Sequence, residues 1–99
     1  MKIVQMRENV TKAELLLKML ANQNRLLILC TLLKRPCSVS ELNEAINLSQ
    51  SALSQHLAKL RYLDLVSTEK IGQQVFYKIK SEEAKAVINT LYEIYCEEP

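Results

Sequence analysis

Few side chains in this sequence are equipped for covalent chemistry. Three cysteines stand at Cys30, Cys37 and Cys96, and one histidine at His56. The cysteines are odd in number and lack Cys-x-x-Cys spacing, which argues against a structural disulfide framework. On residue type alone, Cys30 lies on an apolar helix and reads as a buried core thiol, with Cys96 incidental. There is no Gly-rich phosphate loop and no carboxylate pair in a plausible cleft. One Cys/His combination in 99 residues is a weak catalytic sign. The chain therefore reads as a non-enzyme without a cofactor. The richer chemistry is recognition. Gln50, Ser51, Ser54 and Gln55 are short polar side chains able to hydrogen-bond base edges, while Lys59 and Arg61 follow as phosphate-binding cations.

The elements that position these residues are legible from spacing. Residues 40–63, SELNEAINLSQSALSQHLAKLRYL, form two short helices separated by Asn47-Leu48-Ser49. Ser49 is a capping residue for a second helix over about Gln50 to Tyr62. In it Leu53, Leu57 and Leu60 make a buried stripe, opposite Ser51, Ser54, Gln55, Ala58 and Tyr62. This is a helix-turn-helix whose second helix suits a major groove. His56 lies beside the leucine stripe, so a packing role and a DNA contact are both open. Residues 65–79 follow as a hairpin, with strands Leu65 to Lys70 and Gln74 to Ile79 and the only glycine, Gly72, at the turn. A hairpin directly after a recognition helix is a wing. Lys70, Gln73 and Gln74 near its tip either reach phosphates or the minor groove or are solvated turn residues.

Helices flank this unit. One is expected over about 8–21, with Val10, Ala13, Leu16, Leu17 and Leu20 as its stripe, widened by Leu15 and Met19. A stripe that wide implies burial on two sides. Another begins near Arg25 and ends by Arg35, before Pro36. It is apolar almost all round, as a central core helix should be. The last spans about 82–96, capped by Ser81, with Ala84, Val87, Ile88, Leu91, Ile94 and Tyr95 on its apolar face. No later element covers it, so a two-fold homodimer through the first and last helices is expected. That pairing would set two recognition helices about 34 Å apart on an inverted-repeat operator.

Length and composition bound the same picture. The 99 residues make one small, mainly α domain with a β-hairpin wing, in the order α-α-α-α-β-β-α. Net charge is only +2, but it is unevenly spread: +3 over residues 1–33, +3 over 34–80 and −4 over 81–99. A DNA-facing body with an acidic far side has this pattern, and so does an ordinary mixed surface. No apolar run is long enough for a bilayer, and the N-terminus lacks a signal-peptide core. The expected location is the cytoplasm, with no membrane partner.

The segment LSQSALSQHLAKLRYLDLVSTEKIGQQVFYKI, preceded by LANQNRLLIL, resembles the ArsR/SmtB family of winged-helix regulators over nearly the whole chain. The resemblance implies double-stranded DNA as partner. It places DNA contacts at Gln50, Ser51, Ser54, Gln55 and His56, with Lys59 in support. Metal-sensing members often carry two cysteines in the third helix, in a motif E-L-C-V-C-D-L, where PCSVSEL here has Ser38 and Ser40. Other members bind zinc through positions matching Ser81, Glu83, Ile94 and Glu97, which include no histidine. These donors are too few for tetrahedral zinc, so no metal is expected. Cys30 and Cys96, with the tail Tyr95-Cys96-Glu97-Glu98, are similar to the BigR/HlyU-like branch. That likeness implies a dithiol switch answering reactive sulfur species or oxidants. Glu97 and Glu98 beside Cys96 would tend to raise its pKa, and Cys37 matches nothing in the pattern. A metal-responsive or constitutive regulator, and a winged-helix protein-interaction module, are the competing functions. Against the last, the polar recognition face lacks the aromatic and aliphatic anchors of a docking surface.

Overall fold

Capping side chains set most of the helix boundaries. The structure is a computed structural model that describes residues 2–96. Helix α1 spans Ile3–Leu20 and α2 spans Gln23–Leu32. Between them Asn22 Oδ1 accepts from the Asn24 and Arg25 amides at 3.0 and 3.1 Å. Arg25 Nη1 donates to the Met19 carbonyl at 3.0 Å, tying the two helices together. Strand β1 is Cys37–Ser38, and Ser38 then caps α3 (Val39–Ala45). The cap is reciprocal: the Glu41 amide donates to Ser38 Oγ at 3.2 Å, and the Ser38 amide to Glu41 Oε1 at 3.0 Å. Arg35 Nη1 closes on Glu41 Oε2 at 2.6 Å. The Ser38 amide first, and Arg35 second, hold the Glu41 carboxyl below the usual carboxylate range.

Helix α4 is Gln50–Tyr62, capped by Ser49 Oγ accepting from the Ala52 amide at 3.1 Å. Its end is a Schellman motif. Asp64 sits at φ 60°, its amide donating to Arg61 O, while the Leu65 amide donates to Leu60 O. Leu60 and Leu65, both buried, make the apolar contact that accompanies this cap. Strands β2 (Val66–Ile71) and β3 (Gln74–Ile79) pair antiparallel, Val66 with Ile79 and Ile71 with Gln74. That register leaves the two-residue turn Gly72-Gln73, with Gly72 at φ 64°. Helix α5 is Glu82–Tyr95.

The core gathers around α2. Ile28, Leu29 and Leu32 pack with Leu42 and Ile46 of α3, Leu53, Leu57 and Leu60 of α4, and Ala84 and Ile88 of α5.

Two expectations need correction. First, α1 begins about five residues earlier than position 8: the Met6 amide already bonds the Lys2 carbonyl at 3.0 Å, and nothing between stops the helix. Second, the wing is the larger part of a three-stranded sheet in the order β1-β3-β2. The unforeseen β1 pairs Cys37 with Tyr77 and Ser38 with Phe76. The apolar face of α5 joins the core through Ala84, Val87 and Ile88, and its later part stays open, as a face kept for a second copy would. Ile94 and Tyr95 are 64% and 79% exposed.

Candidate nucleic-acid interface and thiol pocket

The leucines of α4 fix which way its polar side looks. With Leu53, Leu57 and Leu60 buried, the helical repeat turns Ser51, Gln55, Ala58 and Tyr62 directly outward. Gln50, Ser54 and Lys59 flank that stripe, and all seven are exposed. Ala58 between them leaves room for close approach. The 13-residue helix is about 20 Å long, and its cations come late: Lys59 and Arg61 lie in the last turn. Lys59 Nζ stands 5.5 Å from the centre of the Tyr62 ring, a cation–π contact. Lys70, Gln73 and Gln74 are exposed at the hairpin tip.

His56 sits apart from this face. It is half-buried, and its Nε2 lies 3.4 Å from Asn24 Nδ2, which links the recognition helix to the start of α2. That contact joins α4 to α2. Neither Asn24 nor the Lys59–Tyr62 contact was foreseen. The first needs the docking angle of two helices, which spacing does not encode. The second was in plain view as a Lys-x-x-Tyr pair.

The structure brings two of the three thiols together. Helices α2 and α5 pack on one another, and at their junction Leu26, Cys30, Leu91, Tyr92, Tyr95 and Cys96 line an apolar pocket of about 240 Å³. Cys30 is half-buried and Cys96 exposed. Burial pushes the Cys30 thiol up, and the neighbouring Cys96 charge pushes it further. Lys34 Nζ stands 5.9 Å from the centre of the Tyr92 ring at the side of this pocket.

Cys37 belongs elsewhere, buried on β1 with its Sγ–H directed at the Arg35 carbonyl 3.4 Å away. Among the described residues no three His, Cys, Asp or Glu side chains cluster to hold a metal ion. No helix there is long and apolar enough to cross a membrane. Glu97 and Glu98, expected to act on Cys96, lie outside the described residues.

Known proteins share this fold. The signature described as "Bacterial regulatory protein, arsR family" matches residues 22–68, from the cap of α2 into β2. The transcriptional activator HlyU of Vibrio cholerae is 52% identical over 97 residues, covering 98% of this chain and 90% of that protein. The crystal structure of HlyU from Vibrio vulnificus matches with a TM-score of 0.92 at 52% identity, covering 97% of this chain and 100% of that one. The transcriptional repressor BigR from Xylella fastidiosa matches with a TM-score of 0.90 at 34% identity, over 99% of each chain. These relatives are transcriptional regulators, not enzymes. The winged helix-turn-helix built by α3, α4 and the hairpin, together with this likeness over nearly the full chain, makes the protein a DNA-binding transcriptional regulator of the arsR family.

Proposed function

We propose that this regulator is a dimer that reads an inverted-repeat operator and changes its grip when Cys30 and Cys96 become bridged. The observation that carries the reading is the shared pocket: thiols separated by 65 residues of sequence line one apolar cavity at the α2–α5 junction. Recognition is assigned to Gln50, Ser51, Ser54, Gln55 and Lys59 of α4, with Lys70, Gln73 and Gln74 of the wing on the flanking backbone or minor groove.

The chemistry is a two-electron oxidation by a hydropersulfide, R–S–SH. The Cys96 thiolate attacks the outer sulfur and RS⁻ leaves, giving a persulfide on Cys96. The Cys30 thiolate then attacks the inner sulfur of that persulfide, and HS⁻ departs as the protein disulfide forms. Over both steps, two protein thiols and R–S–SH become one disulfide, RSH and H₂S. Exposure favours Cys96 as the first attacker, and the raised Cys30 pKa assigns that thiol to the closing step.

Helix α2 is the shared member of the two sites. Cys30 lies one and two-thirds turns after Asn24, the residue that meets His56 of the recognition helix. A bridge from Cys30 to α5 would act on α4 through that packing.

The test is binding to a duplex selected from a random pool, before and after a hydropersulfide donor. Bridging should lower affinity about 5- to 150-fold, the range of an ordinary allosteric coupling. Cys30→Ser and Cys96→Ser should each abolish the response while leaving the reduced affinity intact. Equal affinities before and after treatment, or an undiminished response in Cys30→Ser, would remove the switch and leave a constitutive DNA-binding regulator.

A further inference from the structure

Beside the outward stripe of α4 runs a groove whose lining shares only Ser54 with the recognition contacts. Ser54, Ala58, Arg61 and Tyr62 of α4 form one wall, and Val39 of α3 with Tyr77 of β3 forms the other; its volume is about 380 Å³. The most unusual residue on it is Tyr62, an aromatic 82% exposed at the end of a recognition helix. Arg61 is also exposed, and neither it nor Lys59 makes a salt bridge among the described residues.

We propose that this groove seats one sugar–phosphate strand of the DNA, gripped by Arg61, the Tyr62 hydroxyl and Lys59. Three features commit the groove to a DNA backbone and not to a protein segment. It is continuous with the base-reading face, because Ser54 belongs to both. The one charged side chain that lines it, Arg61, is a cation, the complement of a phosphate run, and no acidic side chain lines it. It also lies between the recognition helix and the sheet that carries the wing. A helix in the major groove and a wing beyond it leave the intervening backbone to pass between them.

In this arrangement Tyr62 does two things. Its Oη–H donates to a phosphate oxygen, and its ring holds the Lys59 ammonium on its face, 5.5 Å from the ring centre, so that the cation is presented to the strand and not to bulk water. Such contacts set register and strength without reading sequence. The proposal rests on the α4 recognition face lying in the major groove, and the test separates failure of the two.

A mixed-sequence duplex long enough to fill two grooves, and the duplex selected from a random pool, are titrated at several salt concentrations by fluorescence anisotropy. Arg61→Ala should weaken binding to both by a similar factor, about 5- to 30-fold, and reduce the log–log salt slope by about one per copy bound. Tyr62→Phe should weaken both about 3- to 10-fold with little change in slope, since a neutral hydroxyl displaces no counterion. Tyr62→Ala should cost more and also lower the slope, because Lys59 loses its platform. Ser51→Ala, which changes the base-reading face, should instead weaken the selected duplex preferentially. All three groove substitutions are at exposed positions, and unchanged circular dichroism melting confirms the fold. If Arg61→Ala and Tyr62→Phe leave affinity and slope unaltered while Ser51→Ala retains its selective effect, the groove is not a DNA seat. If Ser51→Ala is also silent, it is the placement of α4 that has failed.

Discussion

At the scale of single residues, three cysteines on one small domain are given three environments. Cys37 is buried on β1, and burial pushes its pKa up, partly offset by nearby Arg35. Cys30 is half-buried and also raised, first by burial and then by Cys96. Cys96 is exposed at the end of α5. Only the thiolate attacks an electrophile, so a raised pKa means a small reactive fraction near neutrality, growing about tenfold per pH unit until the raised pKa is reached. In reduced protein, alkylation by iodoacetamide followed by mass spectrometry should therefore label Cys96 first, Cys30 more slowly and Cys37 last. The Cys30 rate should keep climbing with pH beyond the ordinary thiol range. Labelling of Cys30 as fast as Cys96 at neutral pH, with no such climb, would contradict the environment described for it.

At the scale of elements, legibility in the sequence tracked local physics. Helix α4 was readable to the residue because its start is a serine cap and its stripe is three leucines at helical spacing. The hairpin was readable because the turn needs positive φ and only one glycine is present. Strand β1 was not, since a two-residue strand has no period and Ser38 also caps α3. The meeting of Cys30 and Cys96 was not legible from residue types either, because it depends on how α5 docks on α2. The sharpest local surprise is Asp64, a non-glycine at φ 60° in the Schellman turn between recognition helix and wing. Left-handed backbone costs most L-residues about 1–2 kcal/mol, and aspartate tolerates it better than branched residues do. Its exposed ion pair with Lys80 at 3.2 Å contributes little. In urea unfolding, Asp64→Gly should hold or raise stability by up to about 1 kcal/mol, whereas Asp64→Val should lower it by about 1–2 kcal/mol. Equal midpoints for the two variants would mean that the turn does not impose this conformation.

At the scale of the whole molecule, large apolar side chains stand exposed along α1 and at the end of α5. Helix α1 is held to the body near its end, through Leu16, Met19 and Leu20. Ile3, Val4, Val10, Leu15 and Leu17 stand 57–65% exposed along it, and Ile94 and Tyr95 extend the pattern on α5. An 18-residue helix with so little packing is marginal by itself, and a second copy that covered these side chains would stabilise it. Fully burying one such aliphatic side chain is worth about 1.5–3 kcal/mol, so five per copy can outweigh an association cost of about 4–15 kcal/mol. Sedimentation should accordingly give twice the chain mass of 11.4 kDa. Val10→Glu combined with Leu17→Glu should yield monomer, because two carboxylates would face their own copies across the two-fold. The linked binding of two recognition helices should disappear with the interface. Affinity for a paired half-site duplex should then fall about 100-fold or more, while binding to a single half-site changes little. A monomeric wild type, or a charge-bearing variant that keeps full affinity for the paired site, would show that the exposed faces of α1 and α5 do not place two recognition helices on one operator.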